Sequence, residues 1–140
     1  MRYLGRRNAM KITITSLFVD DQESALKFYT EVLGFVVKHN VPMGEHAWIT
    51  VVSSSDPNGP ELLLEPATHR AVKPYRDSLI GDGIPLAQFG VDDVREEHKR
   101  LTAMGVTFTQ LPTEFEEHVI AVFDDTCGNL IMIQSALPNS

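Results

Sequence analysis

The sequence predicts an α+β fold made of two copies of a β-α-β-β-β module. Three observations predict it. A short motif occurs twice, as Leu17-Phe18-Val19-Asp20-Asp21 and as Phe89-Gly90-Val91-Asp92-Asp93. Each copy ends an extended run and opens a segment with helical spacing and cap chemistry. Each such segment is followed by three β-rich runs separated by turn signals.

The first strand runs up to Val19. The first helix is predicted over 21–33, where Ala25, Phe28, Tyr29, Val32 and Leu33 recur at intervals of three and four. Asp20 with Glu23 has the spacing of a capping box, in which the first carboxylate accepts from free N–H groups of the first turn. Gly34 stands where a left-handed C-cap residue is wanted. Three strand-like runs follow, Phe35–Val41, His46–Ser53 and Glu61–Pro66. They are divided by Pro42-Met43-Gly44 and by Asp56-Pro57-Asn58-Gly59-Pro60.

Residues 67–83, with Pro74, Gly81 and Gly83, read as a linker. The second module then repeats the plan. Its helix is predicted over 93–104 through His98, Leu101 and Met104, with Asp93 and Glu96 at the start and Gly105 at the end. Its strands are Val106–Leu111, His118–Asp124 and Leu130–Ser135, divided by Pro112-Thr113-Glu114 and Cys127-Gly128-Asn129. The expected organisation is an extension at 1–9, a first module at 10–66, the linker at 67–83 and a second module at 84–136. Together they make one domain over 10–136.

Composition narrows the function. A chain of 140 residues buries roughly 68–70% of its unfolded surface, so it needs no metal or disulfide in order to fold. A net charge of −7 argues against nucleic acid and anionic membrane as partners, because both need a basic face; it suits a cationic ligand. No apolar run approaches the ~20 residues of a membrane span. Residues 1–9 are basic with no apolar stretch behind them, unlike a signal peptide. Cys127 is the single cysteine, which rules out an internal disulfide and makes the cytoplasm the expected compartment. Its neighbours Asp124 and Asp125 disfavour a thiolate.

The stretch Ala25-Leu26-Lys27-Phe28-Tyr29, continued by Val32-Leu33-Gly34-Phe35, and the turn Asp124-Asp125-Thr126-Cys127-Gly128-Asn129 resemble the glyoxalase / bleomycin-resistance / extradiol-dioxygenase (vicinal oxygen chelate) superfamily. The resemblance covers Lys11 to Ser135. It implies that each module curls its strands into an open U around a ligand groove. It also implies four metal ligands in catalytic members, His or Glu, on the first and last strands of the modules. Carried over by the strand-end Val and the Gly turn, those positions fall on Ile14, Leu63, Leu86 and Met132. Three are hydrocarbon, and a Met thioether is a poor ligand for Zn²⁺, Ni²⁺, Mn²⁺ or Fe²⁺. No metal and no other cofactor is therefore expected.

Residues i and i+2 share a strand face, so Ser16, Glu65, Gln88 and Gln134 should stand beside that apolar quartet as ligand-anchoring groups. Glu65 is the ionisable member, a counter-ion for a cation or a general base. Phe18, Trp48 and Phe123 offer rings that would stack on an aromatic ligand. Three functions compete. The first is a metal-free protein that binds a small, partly aromatic or cationic molecule. The second is a metal-independent lyase or isomerase with Glu65 as base. The third is a metalloenzyme with ligands displaced to His46 and His118, next to Glu45 and Glu117. Leu62-Leu63-Leu64 and Leu130-Ile131-Met132-Ile133 are apolar on both strand faces and need cover on both, which with the resemblance leads us to expect a homodimer.

Overall fold

A computed structural model describes residues 9–138. The chain forms β1 (Ile14–Val19), α1 (Gln22–Lys27, continuing as a π-helical turn over Phe28–Val32), β2 (Val36–Met43), β3 (His46–Val52) and β4 (Glu61–Pro66). After α2 (Val72–Gly81) come β5 (Ala87–Gly90), α3 (Val94–Ala103), β6 (Phe108–Phe115), β7 (His118–Asp124) and β8 (Leu130–Ala136). The strands make two four-stranded sheets, ordered β1-β4-β3-β2 and β5-β8-β7-β6. In each sheet the first strand pairs parallel with the last, and the other neighbours are antiparallel. This is the predicted pair of βαβββ modules, with open, curled sheets. Residues 1–8, most of the expected extension, lie outside the described residues.

The helix starts are as the repeat requires, with one correction. The N-cap of α1 is Asp21, not Asp20: its carboxylate accepts from the Ser24 N–H at 2.9 Å and the Ser24 hydroxyl at 2.6 Å. Those bonds hold the Asp21 carboxyl below the usual range. Asp93 caps α3 in the same way, accepting from the N–H groups of Arg95 and Glu96. The repeat places Asp21 opposite Asp93, so the cap belongs there. Asp20 is left to pair with Arg76. The π turn over Phe28–Val32 is closed by the Leu33 N–H donating to Phe28 O at 3.1 Å.

Two further expectations change. Residues 67–83 contain α2, a ten-residue helix. Pro74 lies in its first turn, where a missing N–H costs nothing. Pro112-Thr113-Glu114 is no turn but part of β6, whose register shifts between Gln110 and Thr113. The reversal falls later, where Glu116 takes φ 55°. β6 is an edge strand with an irregular ladder, the setting in which a strand tolerates proline.

One core serves both modules. Leu17, Val19, Ile49, Val51, Leu62 and Leu64 from the first sheet join Val119, Ala121, Phe123, Ile131 and Ile133 from the second around Ala25, Tyr29, Val94 and Leu101 of the helices. Rings cross the boundary: Tyr29 lies 6.4 Å from Phe89 and Phe28 lies 6.4 Å from Phe123. The Gln22 side chain fastens α1 to the first sheet, donating to Ala47 O and Leu64 O and accepting from Ala47 N–H. Packing through the helix-bearing faces leaves the opposite, open face of each sheet turned away from the core.

Candidate functional site

Strand alternation decides what stands on the open faces. Leu17 and Val19 of β1 and Leu62 and Leu64 of β4 enter the core, so Ile14, Ser16, Phe18, Glu61, Leu63 and Glu65 point the other way. Ser16 is in register with Leu63, Phe18 with Glu65 and Ile14 with Glu61. On β3, Ile49 and Val51 are core, which leaves Trp48 and Thr50 on the open face, with Thr50 across from Leu63. In the second sheet Gln88 is in register with Met132, and Gln134 with Gly90. Leu86 immediately precedes β5 and donates its N–H to Leu130 O at 2.9 Å.

The structure thus brings Ser16, Phe18, Trp48 and Glu65 onto one face with Ile14 and Leu63. It puts Gln88 and Gln134 on the corresponding face of the other sheet with Met132. Phe123 is a correction: it is fully buried in the core, because β7 turns Val119, Ala121 and Phe123 inward. Ile14, at 39% exposure, and Trp48, at 37%, leave the first open face partly apolar and accessible.

A polar group that sequence reasoning passed over stands on this face. The side chains of His39 and Glu61 meet across β3, which lies between their strands: His39 Nε2 is 3.8 Å from Glu61 Oε1. Glu61 Oε1 is buried and makes no hydrogen bond, and neither does the buried hydroxyl of Thr50. Thr50 is 0% exposed and lies across the ladder from His39. Glu61 was within reach of the i, i+2 rule, since it precedes Leu63 by two. His39 was not. A bulge between Val37 and His39 shifts the β2–β3 register by one and puts His39 on the same side as Thr50.

His46 and His118 are exposed at the starts of β3 and β7, in different sheets. Among the described residues no three His, Cys, Asp or Glu side chains are grouped so as to hold a metal ion. Crevices of about 480 Å³, lined by Asp21, Glu23, Leu26, Glu45, His46 and Ile49 among others, and of about 190 Å³ open on the helix-bearing side. Neither is lined by Ser16, Phe18, Trp48, Glu65, Gln88 or Gln134.

The junction between the modules is a separate polar assembly. Asp125, fully buried, accepts from the Tyr29 hydroxyl at 2.6 Å, from the Cys127 and Asn129 N–H groups, and from the Asn129 side chain. Burial raises the carboxyl of Asp125 against the pull of those bonds, and burial beside it raises the Tyr29 hydroxyl well above its usual value. Arg76 of α2 donates to Phe18 O, Cys127 O and Asp20. Burial, reinforced by the Asp125 charge, pushes the Cys127 thiol up to about 12, so it is inert.

Paired βαβββ modules joined through their helices, each with one open sheet face, define the class of fold. The chain belongs to the Glyoxalase/Bleomycin resistance protein/Dioxygenase superfamily, whose model matches residues 11–133. It is 56% identical to the protein YurT of Bacillus subtilis (strain 168) over 124 residues, 89% of this chain and 98% of that one. The crystal structure of UcmS2 superposes with a TM-score of 0.78 at 30% identity, covering 91% of this chain and 98% of the other. TnmS3, described as an antibiotic binding protein from Streptomyces sp. CB03234, shares the fold with a TM-score of 0.69 at 24% identity, covering 91% and 97%.

Proposed function

We propose that this protein binds a small, partly aromatic or cationic molecule against its open sheet faces and uses no catalytic metal. The observation that carries the reading is the donor set. Carried over from the resemblance, the superfamily's metal-ligand positions fall on Ile14, Leu63, Leu86 and Met132, where a divalent ion would lose its water with nothing to replace it. Ser16 and Glu65 on the first open face, and Gln88 and Gln134 on the second, supply polar groups, while Phe18 and Trp48 supply rings, a common make-up for a ligand site. The antibiotic binding described for TnmS3 supports a binding role on this fold.

A second copy of the chain would roof each site. Besides Ile14 and Trp48, the open faces expose Val41 at 50% and Phe115 at 60%, apolar surface that a homodimer would cover. The cytoplasm is the working compartment in this reading, given one thiol and no disulfide. Metal analysis of purified protein should find no stoichiometric Zn²⁺, Ni²⁺ or Fe²⁺, and EDTA should leave Tm unchanged; about one ion per chain would overturn the proposal. Glu65→Gln should weaken a cationic ligand by about 1.5–3 kcal/mol, the range for a hydrogen bond to a charged group.

A further inference from the structure

We infer that the open face of the first module selects protonated amines, and that Glu61 and Thr50 are the anchor, with His39 as a displaceable cover. This rests on the proposed binding role and names the ligand chemistry of that site. Two acceptors, Glu61 Oε1 and Thr50 Oγ1, are buried without hydrogen-bond partners in one sheet. A buried polar group left unpaired is costly, and such groups in native proteins call for a specific reason.

The cover over them is weakly held. His39 is 47% exposed in its side chain, and its Nε2 stands 3.8 Å from Glu61 Oε1, beyond hydrogen-bond length. Placing a nitrogen between the two atoms, at hydrogen-bond distance from each, moves the imidazole outward by about 1–2 Å. A half-exposed ring achieves that by a change of rotamer.

The valence of the anchor then favours an ammonium. One neutral hydroxyl donates a single hydrogen, whereas a primary ammonium donates three and brings a charge opposite to Glu61. Two of those donors match Glu61 Oε1 and Thr50 Oγ1, and the third faces the opening that the displaced His39 side chain leaves. Glu65, four residues along β4 on the same face, adds a second negative charge, and its side chain is half-buried. Trp48 stands two residues from Thr50 on β3, on the same side, where its ring takes an aromatic body attached to the amine. The second module has no such anchor. The residues matching His39, Thr50 and Glu61 in ladder position are Gln110, Val122 and Leu130.

Trp48 is the single tryptophan, so its fluorescence reports on this face. The test titrates the full-length protein at pH 7 with 4-biphenylmethylamine and with its neutral isostere, 4-biphenylmethanol. The amine should bind at least tenfold more tightly. Glu61→Gln should reduce that ratio to about twofold without changing the affinity for the alcohol. Thr50→Val should weaken the amine several-fold, Thr50→Ser should not, and His39→Ala should tighten it. If the alcohol binds but the amine is no better, or if the preference survives in Glu61→Gln, the anchor is wrong while the groove reading stands. Should Glu61→Gln not fold, the Thr50→Val and Thr50→Ser pair decides: equal effects overturn the anchor. If neither compound perturbs Trp48, both readings fall.

Discussion

The backbones of the two modules are close to duplicates. Asp21 and Asp93 cap equivalent helices, Gly34 and Gly105 both take φ +89°, and the edge strands bulge at Val37/His39 and at Phe108/Gln110. The side chains diverge in two places. The open face of the first module buries a hydroxyl and a carboxylate oxygen without partners, where the second has Val122 and Leu130. The turn that closes the second module, Asp125 to Asn129, reaches into the first: Asn129 donates to Phe18 O at 2.8 Å and Cys127 O accepts from Asp20 N–H at 3.0 Å. The corresponding loop of the first module, residues 53–60, bonds mainly to itself, and Ser53, Ser54 and Ser55 border the 190 Å³ crevice with Phe89, Gly90 and Glu97. Duplication supplied two frames. One turn forms the joint and one face holds the unpaired polar groups, so the joint and the proposed ligand anchor lie in different copies.

The joint should show the largest effect. Asp125→Ala strands the Tyr29 hydroxyl, two backbone N–H groups and the Asn129 amide in a dry site, each a buried donor without its acceptor. We expect a loss of about 3–5 kcal/mol in denaturant unfolding. Asp56→Ala, in the corresponding loop of the first module, is exposed and should stay within about 0.5 kcal/mol. Equal losses would mean that the two loops do the same work.

A glycine pair sharpens the point. Gly128 and Gly105 both have positive φ, +102° and +89°. A Cβ on Gly105 meets nothing within 4 Å, so Gly105→Ala should cost only the left-handed strain of about 1–2 kcal/mol. A Cβ on Gly128 would stand 2.5 Å from Arg76 Nη1, in a guanidinium held by three hydrogen-bond partners. Gly128→Ala should therefore cost about 1–2 kcal/mol more than Gly105→Ala, from that clash. Thermal melts of the two variants measure the difference.

The sequence made the frame legible because the frame is local. Helix spacing, glycine stops and the repeated Val-Asp-Asp step each act within a few residues, and the helices and strands formed close to where they predict. What escaped depends on tertiary partners. Asp20 looks like a cap until Arg76, 56 residues away, claims it. The segment around Pro74 reads as a connection until Arg76 and Val72 are buried and α2 acquires a reason to form. Glu61 was reachable by alternation, but His39 was hidden behind a bulge, and a register shift of one residue changes which face a side chain occupies.

The smallest expected effect bears most directly on the contrast between the open faces. Thr50 and Val122 occupy matching ladder positions, each across from a residue of the last strand, Leu63 in one sheet and Met132 in the other. They have nearly the same shape, and both are buried, Thr50 at 0% and Val122 at 2%. Thr50→Val removes a hydroxyl that has no partner and leaves a methyl that fits, so ligand-free protein should be stabilised by about 1 kcal/mol. The reciprocal Val122→Thr buries a new hydroxyl in an apolar setting and should cost about 1–3 kcal/mol. A gain at one position and a loss at the other would show that the first module keeps its unpaired hydroxyl at the expense of stability, as ligand sites commonly do. If Thr50→Val instead destabilises, the hydroxyl has a structural partner, and the difference between the two faces is one of packing rather than of recognition.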